Sequence, residues 1–267
     1  MRYHLLPSLF LLFCIYACTH KYAATNKLYK KQAKAFAKEL RKQPTAIDST
    51  PAPSSWVGTT NFGMRKPNFV ILHHTAQTAC DTTLRTFTLP RTQVSAHYVI
   101  CKDGTIHHML NDYLRAWHAG NSKWGNVTDV NSVSIGIELD NNGFEPFADA
   151  QIQSLLVLLK KLKKENNIPT ANFIGHSDIA PKRKVDPNKY FPWKLLSENG
   201  YGYWYDTANV KVPADFNTIQ SLRIIGYDVK DTVAAIKAFK LHFVQNDTLP
   251  KITEADKKII YGLYKKY

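Results

Sequence analysis

The order of apolar and polar residues after residue 60 predicts alternating strands and helices. Residues 69–72 form a continuous apolar run, which is typical of a strand covered on both faces. Residues 98–106 contain short apolar runs around an Asp-Gly pair and predict a hairpin. In residues 133–139 every second side chain is apolar, which predicts a strand with one apolar face and one polar face. Glu138 lies on the polar face.

A helix is predicted after these strands. Leucine and isoleucine residues recur with helical spacing from an expected N-cap near Asp149 to an end around Asn166, before Pro169. Strands that alternate with helices define the α/β class. We therefore expect a mixed central sheet flanked by helices.

Residues from about 199 onward predict a small bundle of three short helices. Asp215 is expected to cap the first helix, which ends at Gly226. Asp231 begins the second helix, and Thr253 with Asp256 predicts a capping box at the start of the third. This pattern predicts a separate helical module at the C-terminus.

The first residues predict export. Arg2 precedes an apolar stretch over residues 5–16, which is shorter than the roughly 20 residues of a spanning helix. Ala17-Cys18 follows, and this end resembles a bacterial lipobox, in which the cysteine is acylated and becomes the new N-terminus. We expect a lipoprotein tethered through acylated Cys18; an uncleaved single-span anchor is the alternative.

Positive charge is concentrated near the N-terminus. The formal net charge is +14, and residues 21–42 hold eight basic side chains against the single acidic Glu39. Two interpretations remain open: this stretch lies on anionic lipid headgroups, or it is a solvated, partly helical spacer. A nucleic-acid partner is not expected, because an exported protein rarely meets one and no recognition motif accompanies the charge.

Residues 44–55 are rich in proline, serine and threonine, a composition that cannot build a core and predicts a linker. The expected organisation has four parts. They are a signal peptide at 1–18, a basic tether and linker at 19–55, an α/β domain at 56–198 and a helical domain at 199–267.

Two cysteines, Cys80 and Cys101, lie in the part of the chain that is expected to fold. An exported compartment permits a disulfide between them. Pairing also requires that their Cα atoms approach closely, which the sequence does not show. A disulfide and two free buried thiols both remain open.

Candidate metal ligands follow the predicted strands. His73 comes directly after the buried run, His176 lies in a Gly-His-Ser-Asp segment, and Asp186 follows ten residues later. Two histidines and one carboxylate form an open zinc set, in which the fourth position is left for water. Any single histidine is more often a structural residue, and no His-Glu-x-x-His pair is present.

Lys184 and Glu138 are candidates for the chemistry itself. Pro187 favours an extended conformation at Asp186, so the side chains of Lys184 and Asp186 point the same way. A cation beside the metal would stabilise an oxyanion, and Glu138 is a candidate general base for a water molecule. The alternatives are that Lys184 belongs to a solvated basic run and that Glu138 is an exposed strand residue.

Five segments resemble, in order, the motifs of the type 2 N-acetylmuramoyl-L-alanine amidases. Together they extend over about residues 56–195. The segments are FVILHHTA (69–76), VSAHYVI (94–100), RAWHAG (115–120), SIGIEL (134–139) and GHSDIAPKRKVDP (175–187). Five motifs in the same order are highly specific.

The resemblance implies a role for each matching position. His73, His176 and Asp186 are implied to bind Zn²⁺, Glu138 to act as the catalytic acid/base, and Lys184 to assist at the oxyanion. Three further residues are implied to lie near the substrate groove: His97, Trp117 and His118.

The family implies hydrolysis of the amide bond between the lactyl group of muramic acid and L-alanine, in peptidoglycan or muropeptides, during cell-wall turnover or recycling. The helical tail resembles a peptidoglycan-binding module. We expect a monomer that is lipid-anchored in the cell envelope, at the outer membrane facing the periplasm. The alternative is a non-catalytic peptidoglycan-binding lipoprotein on the same fold. The sequence leaves open whether intact or anhydro-muropeptide substrates are preferred.

Overall fold

The computed structural model describes residues 21–42, 58–247 and 249–267. The predicted signal peptide and the linker at 44–55 lie outside the described residues. The chain divides into two units, Met1–Asn61 and Phe62–Tyr267. Within the described ranges, no helix is both long enough and apolar enough for a membrane crossing.

The first unit contains helix α1, Ala23–Leu40, which covers most of the basic stretch. None of its residues is buried. The stretch is therefore helical, and both interpretations of its charge stay open.

The second unit is built on a five-stranded mixed sheet with the order β3-β2-β4-β1-β5. The predicted hairpin is present as the antiparallel β2–β3 pair, whereas β2, β4, β1 and β5 pair in parallel. The expectation of a mixed sheet is therefore confirmed. The strands are β1 Phe69–His74, β2 Tyr98–Ile100, β3 Ile106–His108, β4 Ser134–Leu139 and β5 Phe173–Gly175.

Helices flank this sheet. Two single 3₁₀ turns, Pro90–Thr92 and Thr170–Asn172, accompany them. The helices of this unit are α2 Cys80–Thr88, α3 Val130–Val133, α4 Asp149–Asn166, α5 His176–Ile179, α6 Trp193–Glu198, α7 Thr218–Ile225, α8 Thr232–Phe243 and α9 Glu254–Tyr264.

Most predicted helix ends are found, with one correction at α7. The N-cap of α4 is Ala148, next to the expected position, and Asp149 lies in the first turn, where its negative charge interacts favourably with the helix dipole. The N-cap of α7 is Asn217 and not Asp215; its side chain accepts a hydrogen bond from the backbone N–H of Gln220 (2.9 Å). A turn in which Phe216 N–H donates to the carbonyl of Pro213 (3.1 Å) precedes α7 and delays its start.

The predicted caps of the last two helices are confirmed. Asp231 accepts a hydrogen bond from Ala234 N–H (3.0 Å) at the start of α8. Thr253 and Asp256 form the expected capping box of α9. These caps satisfy backbone donors that the first turn of each helix would otherwise leave unpaired.

The two faces of the sheet are covered by different helices. Leu155 and Leu159 of α4 pack in one buried cluster with Leu72 of β1. Ile71 of β1 points to the other face, where it shares a second cluster with residues of α7, α8 and α9, including Phe239. Strand β1 is thus covered on both sides, as its continuous apolar run predicts. The expected domain boundary between residues 198 and 199 falls inside the unit Phe62–Tyr267 and stays a prediction.

Cys80 and Cys101 form a disulfide, with their Cα atoms 5.4 Å apart. This settles the choice that the sequence leaves open. The bond joins the first residue of α2 to the residue after β2. It therefore fixes the start of a helix that forms one wall of the cleft described next.

Candidate active site

Strand register brings the candidate residues to one edge of the sheet. In the parallel β1–β4 pair His73 is opposite Glu138, and in the β1–β5 pair Leu72 is opposite Gly175. His176, the next residue after Gly175, therefore emerges beside His73. The carboxyl ends of parallel strands meet at one edge, where open sheets place their binding sites.

Three atoms of the predicted ligand set converge. His73 Nδ1 lies 2.9 Å from His176 Nδ1, and Asp186 Oδ2 lies 3.1 Å and 3.0 Å from these two nitrogens. All three side chains are buried. Asp186 lies 113 positions after His73 along the chain, so tertiary folding assembles this group.

The Nε2 atoms of His73 and His176, which face away from the other ligand atoms, each make a hydrogen bond, and these bonds determine the tautomer of each ring. Ser134 Oγ donates to the carbonyl of Val130 (2.6 Å) and therefore accepts from His118 Nε2 (3.1 Å). His118 Nδ1 is then the acceptor for His73 Nε2 (3.0 Å). His73 Nδ1 thus carries a lone pair toward the other ligand atoms.

The same argument applies to the second histidine. His176 Nε2 lies 3.2 Å from the carbonyl of Ala119, which can only accept, so His176 Nδ1 also carries a lone pair. Burial, and next electrostatic repulsion between this ring and His176 when both are protonated, lowers the pKa of His73 to about 4, which keeps the His73 ring neutral near pH 7. Neutral imidazole is the form that binds metal.

Two nitrogen lone pairs and a carboxylate oxygen that face one another fit a cation. Three ligands of one tetrahedral zinc lie about 3.3 Å apart, given bond lengths of about 2.0–2.1 Å. The observed separations of 2.9–3.1 Å are within a few tenths of that spacing. The outward hydrogen bonds to His118 and Ala119 resemble the supports that orient metal-binding histidines in other proteins. This group can hold a divalent metal ion.

Glu138 stands beside the ligand group without joining it. Its Oε1 lies 4.0 Å from His73 Nδ1, and its side chain is 13% exposed, so it is not the exposed strand residue of the alternative interpretation. Its buried Oε2 has no hydrogen-bond partner in the described part of the chain. Burial, and next the charge of Asp186, raises the pKa of Glu138 to about 8. An unpartnered carboxylate of raised pKa is suited to proton transfer.

A cleft of about 380 Å³ opens onto these residues. Lys184 and Asp186 both line this cleft, as expected from their spacing. The positive charge of Lys184 partly opposes the increase in the pKa of Glu138 that burial and Asp186 cause. Helix α2 forms part of the wall through Thr83, Thr86 and Phe87. A cation, a buried carboxylate and the three converging side chains therefore line one solvent-accessible space.

The three residues expected near the groove occupy different places. Trp117 and His118 line the cleft, and Trp117 is 48% exposed. His97 is fully buried away from the cleft lining, where its Nδ1 accepts from Gly136 N–H (3.0 Å) and its Nε2 donates to Leu114 O (3.0 Å). A substrate contact by any of the three stays a prediction.

Sequence reasoning missed the small residues beneath His118. A Cβ at Gly136 would lie 2.4 Å from His118 Cγ, so glycine alone leaves room for this ring. Ser134 accepts from the same ring on the other side. The available signal was the pair of small residues that share the face of Glu138 in β4.

Sequence reasoning also missed the role of Asp178, whose hydrogen bonds fix the start of α5, the helix that carries His176. Asp178 is fully buried and accepts hydrogen bonds from Gly175 N–H, Tyr227 Oη and His242 Nδ1, each at 2.7 Å. His242 belongs to α8 and stacks on Trp193, with ring centroids 3.8 Å apart. Helix α8 and Tyr227 are thereby hydrogen-bonded to the segment that presents His176.

The profile of the N-acetylmuramoyl-L-alanine amidase family matches residues 63–189. The amidase AmiD of Escherichia coli K12 is 35% identical over 206 residues, which cover 65% of this chain and 74% of AmiD. The 1,6-anhydro-N-acetylmuramyl-L-alanine amidase AmpD of Haemophilus influenzae is 43% identical over 103 residues, which cover 38% of this chain and 56% of AmpD. The chain thus spans about half the length of AmpD.

Solved structures agree with the sequence matches. The complex of Escherichia coli AmiD with anhydro-N-acetylmuramic acid-L-Ala-D-gamma-Glu-L-Lys has a TM-score of 0.68 and 30% identity, and covers 84% of this chain and 97% of AmiD. AmpDh3 from Pseudomonas aeruginosa has a TM-score of 0.69 and 29% identity, and covers 84% of this chain and 99% of AmpDh3. The chain belongs to the N-acetylmuramoyl-L-alanine amidase family. The resemblance, fold class and enzyme class inferred from the motifs are confirmed.

Proposed function

We propose that this protein is a zinc-dependent amidase that hydrolyses the bond between the lactyl carbonyl of muramic acid and L-alanine in peptidoglycan or muropeptides. The observation that carries the proposal is the convergence of His73 Nδ1, His176 Nδ1 and Asp186 Oδ2 beside the unpartnered carboxylate of Glu138. The solved complexes support the substrate class, because AmiD and AmpDh3 hold anhydromuramic peptides.

In this proposal His73, His176 and Asp186 hold the zinc ion. When bound, zinc polarises the scissile carbonyl and makes water more acidic. Glu138 accepts a proton from the attacking water as its oxygen adds to the carbonyl carbon. The same carboxyl group then delivers that proton to the leaving nitrogen of L-alanine as the amide bond breaks.

Lys184 stabilises the negative charge that develops on the carbonyl oxygen. Its position on the cleft wall, near Glu138 and Asp186, supports this role. No side chain needs to form a covalent intermediate. Ser177, beside His176, is buried and lies outside the cleft lining, which argues against a serine nucleophile.

A non-catalytic peptidoglycan-binding protein is the competing function. Such a protein needs a groove but neither a complete ligand set nor a free carboxylate beside it. Here a buried carboxylate oxygen without a partner costs stability, and a binding groove alone gives no reason to retain it. Hydrolysis explains Glu138, and binding alone does not.

The proposal is tested by digesting purified sacculi, muropeptides and anhydro-muropeptides with the zinc-loaded protein. We expect free stem peptides that begin with L-alanine, together with glycan ends that keep the lactyl group, identified by mass spectrometry. Comparison of the three substrates gives the preference that the sequence leaves open. Binding of muropeptides without release of any stem peptide would favour the binding protein instead.

We propose further that the mature protein is a monomer attached to the outer membrane, facing the periplasm, through acylated Cys18. The Ala17-Cys18 pair after a short apolar stretch supports this location. A substrate class that occurs in the cell envelope agrees with it.

Substitution Cys18→Ala should release the protein from membranes washed in high salt, because the acyl chain provides the hydrophobic attachment. Muropeptide hydrolysis by the released protein should stay at the wild-type level. Cys14→Ala is the matched control, since Cys14 lies within the apolar stretch and should leave the attachment unchanged. If the Cys18 variant remains in the salt-washed membrane fraction, the acyl tether is wrong.

A further inference from the structure

Helix α1 separates charge from apolar surface around its axis. Its five lysines, at 100° per residue, fall within an arc of about 100°. We call this side the lysine face. Its members are Lys27, Lys30, Lys31, Lys34 and Lys38.

An apolar stripe lies on another side of the same helix. Tyr29, Ala33, Phe36 and Leu40 fall within an arc of about 60°, whose centre is about 140° from the centre of the lysine face. We call these four residues the apolar face. Phe36 is 57% exposed and Leu40 is 83% exposed, so this surface is available for contact.

This arrangement is unfavourable for a helix that is surrounded only by water. Lysines three and four positions apart repel each other, as Lys27 with Lys31 and Lys34 with Lys38 do here. The single acidic residue of the helix, Glu39, pairs with Lys42 beyond the helix end (2.6 Å). An anionic surface would relieve the repulsion while an apolar layer covers Phe36 and Leu40.

We propose that α1 lies along the surface of an anionic phospholipid bilayer. The apolar face enters the boundary of the acyl chains, and the lysines reach the phosphates of the headgroups. With 18 residues α1 is about 27 Å long. It is not apolar enough to span a bilayer, so in this proposal it lies parallel to the membrane surface.

This inference deepens the proposed envelope location. A polybasic segment beside an acylated cysteine is a second attachment signal, which acts through the charge of the headgroups. Helix α1 begins five residues after Cys18, within reach of the same bilayer surface. It supplies an electrostatic contact with the headgroups that acylation by itself lacks.

The test places an environment-sensitive fluorophore on α1 of the purified full-length protein. Ala33→Cys reports on the apolar face, and Ala24→Cys, on the side of the lysine face, is the matched control. Each protein is mixed with phosphatidylcholine vesicles or with vesicles in which part of this lipid is replaced by phosphatidylglycerol. The emission wavelength and the quenching by aqueous iodide are measured.

We expect a blue shift and protection from iodide for the Ala33 label on the anionic vesicles, a much smaller change for the Ala24 label, and reversal by salt. Each lysine near an anionic surface strengthens binding about fivefold. Changing the five lysines of the lysine face to glutamine should therefore weaken docking by about a hundredfold or more and abolish the shift. Hydrolysis of soluble muropeptides by that variant should not change.

Other outcomes overturn the inference. An equal shift on neutral vesicles means that anionic lipid is not recognised. A shift with purified sacculi but not with vesicles would mean that α1 binds the glycan polymer. A shift that depends only on protein concentration would mean that α1 binds a second copy of the chain. Because labelling and hydrolysis are measured separately, failure of the amidase proposal would leave the result for α1 unaffected.

Discussion

The variant His176→Ala will contain almost no zinc and will not hydrolyse muropeptides. The wild-type protein should contain about one zinc per chain, because two histidines and one carboxylate form a complete open site. Removal of His176 Nδ1 leaves only His73 and Asp186, and two ligands hold zinc poorly. Metal content is measured by elemental analysis after dialysis, and activity by release of stem peptides.

The neighbouring His74 provides the control for this experiment. His74 lines the same cleft, but its ring is outside the group of three converging ligand atoms. The variant His74→Ala should therefore keep its zinc. If His176→Ala still binds one zinc and turns over substrate, the assignment of His176 as a ligand is incorrect.

Glu138→Gln should reduce the rate of hydrolysis by about 10²–10⁴-fold, the usual contribution of a general base. The amide has nearly the size of the carboxylate but cannot accept the proton of water. Zinc content and muropeptide affinity should remain close to wild type, since Glu138 is not one of the three converging residues. Turnover numbers are compared with muropeptide binding by calorimetry.

Asp140→Asn is the control for this substitution. Asp140 follows β4 two positions after Glu138 and is outside the cleft lining, so its change should leave kcat within a few-fold of wild type. Near-normal turnover of Glu138→Gln would remove Glu138 from the mechanism.

In metal-free protein, Glu138→Gln should also change how the free energy of unfolding depends on pH. The folded-state pKa of Glu138 is about 8, above its ordinary 4.5, so the folded state binds this proton more tightly than the unfolded state. The contribution of this proton to the free energy of unfolding is fully present below about pH 4.5 and is lost as the pH rises to about 8. Wild type should lose on the order of 2 kcal/mol of unfolding free energy between about pH 5.5 and 7.5 relative to Glu138→Gln. Thermal unfolding at the two pH values measures the difference.

The sequence alone determined the features that depend on near neighbours. The apolar run at residues 69–72 and the alternation at residues 133–139 predicted two central strands, because side-chain periodicity is a local property. The structure has these strands at Phe69–His74 and Ser134–Leu139. Asp231 and the Thr253–Asp256 pair predicted the starts of α8 and α9, because a cap reaches only two or three residues along the chain. Ordered motifs indicated the candidate ligands through family resemblance.

Only the tertiary structure decided which distant groups meet. The disulfide, the hydrogen bonds from His73 through His118 to Ser134, and the contact of Asp178 with His242 join residues that no local pattern relates. The same holds for the burial of Glu138: the sequence places it on a polar strand face, but the covering of that face raises its pKa. Burial and hydrogen bonding depend on how strands and helices pack, and a chemical role depends on both.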